Sequence, residues 1–349
     1  MAKRRLYVFF VLVGIVVSGY AQQEPQYTQY MYTILPINPG YAGQTGICAS
    51  LHYRQQWAGF RDINPITGDE YKTSPRSVMV SLHSPVRVLH GGLGLTVYNE
   101  SYGHQSDIAV KLAYSFKMNI GGGNLGLGIS ADLLNRSIKK SEFYDNPGGG
   151  INGTTGDQNI FANLGDNTMY VDASFGAYYM MQNKWYAGIS ATQLLSAVGG
   201  SEIYQSGARH VYAFGGYSFP LPSNPSWTIK PSILMKTDLK SVQCDLTAMA
   251  DFEDFFWFGV SYRIIDAVAV IGGIKPFANS STAAMRGLEV IASYDITTSK
   301  MLHLGRADTE KRSYGGYEFS VKYCFKIVQQ QIIHGYKGTR LLGNKPIEY

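Results

Sequence analysis

The chain has 349 residues, of which 45% are hydrophobic and only 16% are charged, and its formal net charge is +5. Soluble domains usually carry about a quarter charged residues, so this composition disfavours an ordinary soluble protein. The excess of positive charge is small and lies partly in the first five residues, so it does not indicate a nucleic-acid partner.

Residues 1–21 have the pattern of a cleavable secretory signal peptide. Lys3, Arg4 and Arg5 precede the apolar run 6–17, and small residues come before the expected cleavage after Ala21. The alternative, a membrane anchor, needs a longer run, because about 20 apolar residues span a bilayer as a helix. Cleavage removes three positive charges and leaves a formal charge of about +2 on the mature chain.

Residues 22–46 follow this leader and are predicted to form an extended aromatic arm. The arm has neither a helical period nor a strict alternation, and Pro36 and Pro39 interrupt regular structure. It is rich in tyrosine, and large aromatic side chains need a surface to pack against. Two roles are open: a plug that fills the lumen of a barrel, or a segment that meets a partner at the barrel rim.

Residues 47–326 alternate repeatedly between apolar and polar residues. Between Ile108 and Phe116, for example, large apolar residues at every second position are separated by Ala, Lys, Ala and Ser. This period of two over about ten residues is typical of a transmembrane strand with an apolar outer face and a polar inner face. No apolar run long enough for a transmembrane helix follows the leader, so only a closed barrel would let the mature chain span a membrane.

About fourteen segments carry this alternation, and single-chain bacterial barrels have an even number of strands. Their predicted bounds are 47–57, 76–84, 90–99, 105–117, 124–134, 168–181, 184–192, 209–219, 226–236, 242–252, 255–264, 267–275, 286–295 and 315–326. The four long connections, 58–75, 135–167, 193–208 and 296–314, all follow odd-numbered segments. Outer-membrane barrels have long outer loops and short periplasmic turns, so we predict an all-β, antiparallel, transmembrane outer-membrane barrel with both termini in the periplasm.

Residues 327–349 extend beyond the last segment as a short periplasmic tail. The tail is mildly basic, with Lys337, Arg340 and Lys345 against the single acid Glu348. A docking segment for periplasmic machinery and a disordered chain end are both compatible with this composition.

Several patterns associated with chemistry lack the context that chemistry needs. Gly121, Gly123 and Gly126 match the dinucleotide-binding spacing, but a strand pattern follows them where that motif needs a helix. The histidines show no metal-ligand spacing and no nucleophile elbow is present, so we predict no catalytic residue, no metal and no cofactor. The glycine-rich stretch 145–165 has oxygen ligands suited to a weak calcium site, but a flexible surface loop is the simpler interpretation.

The three cysteines, Cys48, Cys244 and Cys324, are scattered without a Cys-x-x-Cys pair. An exported protein usually has an even number of cysteines when it uses a disulfide framework. We therefore expect buried, inert thiols rather than a redox site.

The arm and the start of the first strand carry a specific motif, QxPQYxQYM, then NPxYAG, then YRxQWxGF. The matching residues are Gln23, Pro25, Gln26, Tyr27, Gln29, Tyr30, Met31, Asn38, Pro39, Tyr41, Ala42, Gly43, Tyr53, Arg54, Gln56, Trp57, Gly59 and Phe60. This pattern closely resembles the start of the PorP/SprF family, outer-membrane proteins of the Bacteroidota type IX secretion and gliding machinery. Weaker similarities continue over nearly the whole mature chain.

The resemblance implies a non-enzymatic component of the type IX protein secretion system, located in the outer membrane. Such a component would act as a docking or anchoring platform. The implied partners are outer-membrane lipids, the periplasmic ring proteins and the peptidoglycan-binding subunit, and also secreted cargo, such as an adhesin, with a C-terminal sorting domain. The motif residues from Pro25 to Trp57 are predicted to recognise a partner or to pack as a plug.

Two other classes of function stay open on the sequence. Barrel architecture alone equally permits an outer-membrane pore or transporter for small or hydrophobic solutes. A barrel enzyme with catalytic residues spread over several strands and loops is a further alternative. A lumen closed by the arm favours a docking platform over an open pore. Both a general secretion component and a cargo-specific relative fit the motif.

Overall fold

The structure is a computed structural model that describes residues 26–63, 70–103, 105–138, 168–195, 209–278, 280, 285–298 and 314–325. The predicted signal peptide, the calcium alternative at 145–165 and the tail with Lys337, Arg340 and Lys345 lie outside the described residues.

Among the described residues, fourteen strands form one antiparallel sheet that closes on itself. In chain order they are β1 (Ile47–Gln55), β2 (Arg76–Val86), β3 (Gly91–Tyr102), β4 (Gln105–Ile120), β5 (Gly123–Ile138), β6 (Thr168–Met181), β7 (Trp185–Thr192), β8 (His210–Tyr217), β9 (Asn224–Thr237), β10 (Val242–Phe252), β11 (Phe256–Arg263), β12 (Ala267–Ile274), β13 (Leu288–Thr297) and β14 (Gly316–Phe325). β1 pairs with both β2 and β14, and β8 pairs with both β7 and β9, so the ring of strands is complete.

Three shorter strands stand outside this numbering. Arg61–Ile63 and Glu70–Lys72 pair as a two-stranded ribbon in the connection between β1 and β2. Phe219–Leu221 pairs with the first half of β9. These pieces extend connections and do not interrupt the barrel.

The predicted fourteen-stranded antiparallel barrel is confirmed, and each predicted segment corresponds to one observed strand. The largest differences are in the hairpin of β4 and β5, which extends several residues beyond the predicted bounds 105–117 and 124–134. The alternation weakens near both ends of the hairpin, where Asn119 pairs with Asn124 next to the turn and Arg136 pairs with Asp107 at the other end. Pairing with the neighbouring strand therefore extends both strands further than their sequence pattern indicates.

The two faces of the barrel wall differ in chemistry as predicted. On β4, Ile108, Leu112 and Phe116 are 47%, 58% and 42% exposed, whereas Asp107 and Lys111 are buried. Apolar side chains therefore cover the outer face, and the polar side chains point into the lumen. This distribution suits a barrel surrounded by lipid. None of the helices in the described part of the chain is long and apolar enough to cross a membrane.

A disulfide joins the first strand to the last. Cys48 on β1 and Cys324 on β14 are direct cross-strand partners with Cα atoms 4.1 Å apart. The expectation of inert thiols was wrong for this pair, because residues 276 positions apart become neighbours only when the barrel closes. Cys244 on β10 is a free cysteine.

The two ends of the barrel are named here by their connections. At the odd end the chain passes from each odd-numbered strand to the next, for example from β1 to β2. At the even end it passes from each even-numbered strand to the next, as at the short turn Arg87–Leu89 between β2 and β3. Ile47 and Phe325, which begin and end the barrel, pair with each other at the even end.

Candidate functional site

The described part of the arm, residues 26–46, runs through the interior of the barrel. Gly43 lies against Ser84 and Pro85 at the even end, and Gln26 contacts Asp245 close to the odd end of β10. Between these points the arm forms hydrogen bonds with β4 and β6 on one side of the ring and with β9 and β14 on the other. A segment that contacts opposite walls of a closed barrel lies in its lumen.

The amino part of the arm, residues 26–31, is held by a buried carboxylate on β14. Glu318 is fully buried and accepts the backbone N–H groups of Thr28 at 2.7 Å and Gln29 at 3.0 Å. Arg54 on β1 donates to the same carboxylate and lies 3.6 Å from Asp295 on β13. The predicted site residue Arg54 therefore acts through Glu318, whose charge it neutralises in a place where an unpaired charge would be costly.

A second charged pair contacts the same part of the arm. The Gln26 side chain donates from Nε2 to both carboxylate oxygens of Asp245, at 2.9 Å each. Arg263 on β11 donates to Asp245 at 3.2 Å and to the hydroxyl of Thr28 at 3.3 Å. These contacts and those of Glu318 fix residues 26–29 of the arm against three strands, β10, β11 and β14.

Tyrosine side chains pack the amino part against the wall. The ring of Tyr27 meets His52 edge to face, with centroids 4.6 Å apart. The hydroxyl of Tyr30 lies 2.7 Å from that of Ser232 on β9. Met31 is half-buried and packs between two clusters of buried apolar side chains. The predicted need of the aromatic residues for a packing surface is thus met inside the lumen.

The carboxyl part of the arm, residues 38–43, is fixed by Asn38. Its side-chain nitrogen donates to the carbonyls of Ala177 on β6 and Ile189 on β7, at 3.0 and 3.2 Å. Its side-chain oxygen accepts the N–H of Gly40 at 2.9 Å, which caps the short 3-10 turn Pro39–Tyr41. One asparagine therefore shapes the turn and attaches it to two strands.

Strand glycines give this turn its place on the wall. A Cβ atom added to Gly126 would lie 2.2 Å from the Gly40 carbonyl oxygen, and one added to Gly128 would lie 2.3 Å from the Gly40 nitrogen. A Cβ atom on Gly176 would lie 2.2 Å from the side-chain oxygen of Asn38. Side chains at these positions would displace the arm. Gly126, which matches the dinucleotide-binding spacing in sequence, therefore serves here to allow close contact with the arm backbone.

The remaining motif residues of the carboxyl part are also buried. The ring of Tyr41 packs edge to face on both His83 and Tyr178, with centroids 5.2 Å apart in each case. Ala42 is fully buried, and Gly43 has φ +66°, a conformation that favours glycine. The spacing of NPxYAG therefore corresponds to a single compact turn with its C-terminal continuation.

The motif residues of the first strand divide into three groups. Arg54 faces the lumen and joins the network described above. Tyr53 lies on the outer face, where its hydroxyl donates to Gln55 at 3.2 Å and where it does not touch the arm. Gln56 and Trp57 lie at the odd end and line, with Gln26, a cavity of about 560 Å³ at the mouth of the barrel. Pro25 lies outside the described residues.

Sequence reasoning did not identify several residues that hold the arm, notably Glu318, Asp245, Arg263, Gly128 and Gly176. The alternation placed Glu318 and Asp245 on the inner face, and a carboxylate at a lumen position indicates that a partner must exist. The partners are more than 200 residues away in sequence, so the pattern does not identify them. Among the described residues, no group of three or more His, Cys, Asp and Glu side chains is arranged to hold a metal ion.

Solved structures with a similar fold include outer-membrane proteins. They include the outer membrane protein Omp33 of Acinetobacter baumannii, at 9% identity and TM-score 0.41, covering 81% of this chain and 100% of that one. A FadL homologue of Pseudomonas aeruginosa has 12% identity and TM-score 0.40, covering 82% and 94%. The CymD monoaromatic hydrocarbon channel has 12% identity and TM-score 0.41, covering 88% and 94%. The function of none of these proteins transfers to this chain at such similarity.

The family described as "Type IX secretion system membrane protein PorP/SprF" matches residues 19–323, most of the chain. No curated protein is detectably similar in sequence. The match confirms the resemblance carried by the arm motif and the prediction that the protein is not an enzyme. With the closed barrel and its apolar outer face, it also identifies an outer-membrane β-barrel protein. The chain belongs to the PorP/SprF family of type IX secretion system membrane proteins.

Proposed function

We propose that the protein is a docking platform of the type IX secretion system whose lumen is closed by the arm. The observation that supports this function is the path of residues 26–46, which cross the lumen from the even end to the odd end. Gln29, Asn38 and Ala42 are fully buried along this path. A general pore needs a continuous aqueous lumen, and a barrel filled by its own chain is better suited to anchoring a partner.

We propose further that the even end faces the periplasm. Short turns such as Arg87–Leu89 connect strands at this end, as periplasmic turns do in outer-membrane barrels. Gln26 then lies near the outer mouth of the barrel. The sequence prediction of two periplasmic termini did not anticipate that the arm returns through the lumen, and the residues before Gln26 lie outside the described part of the chain.

Each end of the platform has its own partner in this proposal. The even end meets the periplasmic ring proteins and the peptidoglycan-binding subunit. The cavity at the odd end meets cargo with a C-terminal sorting domain. The assignment of cargo to the odd end is supported by three motif residues that line this cavity, Gln26, Gln56 and Trp57. Trp57 has φ +49°, uncommon for a non-glycine residue, so the backbone at the cavity is held in a specific conformation.

Electrical conductance in planar lipid bilayers tests whether the arm closes the lumen. The full-length mature protein is compared with a variant that lacks residues 22–46. We expect no steady current from the full-length protein and large, steady channels from the shortened one. Steady large channels in the full-length protein would overturn the platform and favour a pore for small or hydrophobic solutes.

A second experiment tests the role in secretion. The gene is deleted in its own organism, and the secreted and surface proteins are quantified by mass spectrometry before and after complementation. Loss of all sorting-domain cargo would assign a general role, and loss of a single adhesin would assign a dedicated one. Unchanged secretion would contradict the docking function.

A further inference from the structure

The outer face of the barrel changes from apolar to polar near the odd ends of β1 to β4. The register places Leu51, Val80 and Val97 in one outward-facing row. Two rows nearer to the odd end, Gln55, Arg76 and Ser101 face outward together. The row between them, Tyr53, Val78 and Asn99, is mixed, so the outer face becomes polar within two rows, at the height where lipid headgroups meet a barrel.

A groove opens on the outer face at this boundary. It has a volume of about 470 Å³, and most of its lining side chains are polar or aromatic. The lining includes Tyr53, Gln55, Arg76, Asn99, Ser101 and Tyr317. Arg76 is exposed, and among the described residues that line the groove none is acidic. The rings of Tyr53 and Tyr317 are 6.1 Å apart at one side of it.

The opposite side of the barrel lacks this feature. At the odd ends of β9 to β12, Val242 is 69% exposed, and Leu239 and Ile265 in the adjoining turns are 74% and 79% exposed. Large apolar side chains are thus exposed at the rim there, next to the exposed Lys240. The polar groove on β1 to β4 is consequently a local property of that wall and not a feature of the whole rim.

We propose that this groove binds the phosphorylated sugar headgroup of a membrane glycolipid. The Arg76 guanidinium supplies paired donors for a phosphate, and no carboxylate among the described lining residues opposes an anion. The amide of Asn99 and the hydroxyl of Ser101 match sugar hydroxyls, and tyrosine rings offer flat faces for a pyranose. The acyl chains would lie on the apolar rows next to the groove. This site lies outside the lumen and is independent of cargo docking; only its assignment to the outer leaflet rests on the proposed orientation.

Native mass spectrometry of the full-length protein in detergent tests the site. The probes are lipid A with two phosphates, the same lipid A without phosphates, phosphatidylglycerol, and soluble glucosamine 6-phosphate. We expect retention of the phosphorylated lipid A above the other three. Arg76→Gln should weaken its binding about tenfold, as expected for loss of one charge-assisted contact. Arg87→Gln, which changes an exposed arginine in a turn at the even end, is the matched control and should bind normally.

A second variant, Asn99→Ala, separates sugar recognition from charge and should weaken the phosphorylated lipid A without affecting phosphatidylglycerol. The heat-modified migration of each variant in gels checks that the barrel has folded. Equal binding by the Arg76→Gln variant, or equal retention of dephosphorylated lipid A or phosphatidylglycerol, would overturn the proposal. Full displacement by glucosamine 6-phosphate would assign the groove to a soluble sugar phosphate and also contradict it.

Discussion

The two parts of the arm are held in the lumen by different physics. Residues 26–31 are fixed by charge, because Glu318 and Asp245 accept hydrogen bonds from the arm and are themselves paired with arginines. Residues 38–43 are fixed by the neutral hydrogen bonds of Asn38 and by shape, because their backbone lies on strand positions that have no side chain. A segment without regular structure can thus be held by hydrogen bonds to its polar groups or by glycines in the wall that let its backbone pack closely. This arm uses both devices.

The two parts of the arm should respond differently to substitutions in the barrel wall. Removing a carboxylate leaves buried N–H donors without their acceptor and takes the hydrogen-bonded partner from an arginine, which costs much free energy. Adding a side chain at a glycine forces the backbone away, while the charged contacts stay intact. Variants of each kind should therefore loosen different ends of the arm.

The largest effect is expected for Glu318→Ala. It removes the acceptor of the Thr28 and Gln29 N–H groups and the partner of Arg54. We expect the free energy of unfolding to fall by about 3 to 5 kcal/mol, measured by urea-induced unfolding in detergent. Glu253→Ala, in the exposed turn between β10 and β11, is the matched control and should change it little. An effect of the same size in both variants would contradict the charge-based anchor.

Removal of the Cys48–Cys324 disulfide separates closure of the barrel from docking of the arm. In the Cys48→Ser, Cys324→Ser double variant we expect unfolding to become easier by about 2 to 4 kcal/mol, since the link restricts the unfolded chain. The lumen should stay closed, with no steady current in planar bilayers, because neither part of the arm is held by this bond. The control is Cys244→Ser, which removes the free thiol. Open channels in the double variant would show that docking of the arm depends on the disulfide, contrary to this expectation.

Gly128→Val tests the shape-based anchor. Its side chain would enter the space of Pro39 and Gly40, so we expect arm docking to weaken by about 1 to 3 kcal/mol and channel openings to appear in planar bilayers. Gly272→Val is the matched control, since a Cβ atom there has its nearest neighbour at 3.7 Å. Closed Gly128→Val channels, or equal openings in both variants, would contradict the account.

The smallest effect is expected for Tyr30→Phe. It deletes the hydroxyl that lies 2.7 Å from Ser232 and keeps the ring in place. We expect a loss of about 1 kcal/mol in the free energy of unfolding, measured in urea. Tyr262→Phe, on the exposed outer face, serves as the control. A larger loss of unfolding free energy in Tyr30→Phe than in Glu318→Ala would contradict the proposal that the buried carboxylate contributes most to holding the arm.

The strands were predictable from the sequence because their signal is local. Each strand faces lipid on one side and the lumen on the other, so its residues alternate whatever its neighbours are. The arm was predictable as an aromatic segment that needs a packing surface, but not in its path, since it has no period from which direction follows. Its motif contains Gln29 and Asn38, which are fully buried in the structure, but the motif does not indicate which atoms they contact.

The features that were missed depend on closure of the barrel. Cys48 meets Cys324, and Arg54 meets Glu318, only because β1 pairs with β14. The importance of Gly128 is invisible for a related reason, since glycine in a strand usually weakens it and its use here depends on a backbone some 90 residues earlier in the chain. Contacts across such separations follow from topology and not from composition or period.

Cysteine labelling in intact cells tests the path of the arm most directly. Both variants are made in a Cys244→Ser background. Gln26→Cys places a single free thiol near the odd end, and Val88→Cys places one in an even-end turn, where Val88 is 88% exposed. We predict that a membrane-impermeant maleimide labels Gln26→Cys on intact cells and labels Val88→Cys only after the outer membrane is permeabilised. Labelling of Gln26→Cys only after permeabilisation, together with Val88→Cys, would contradict an arm that crosses the lumen to the outer mouth.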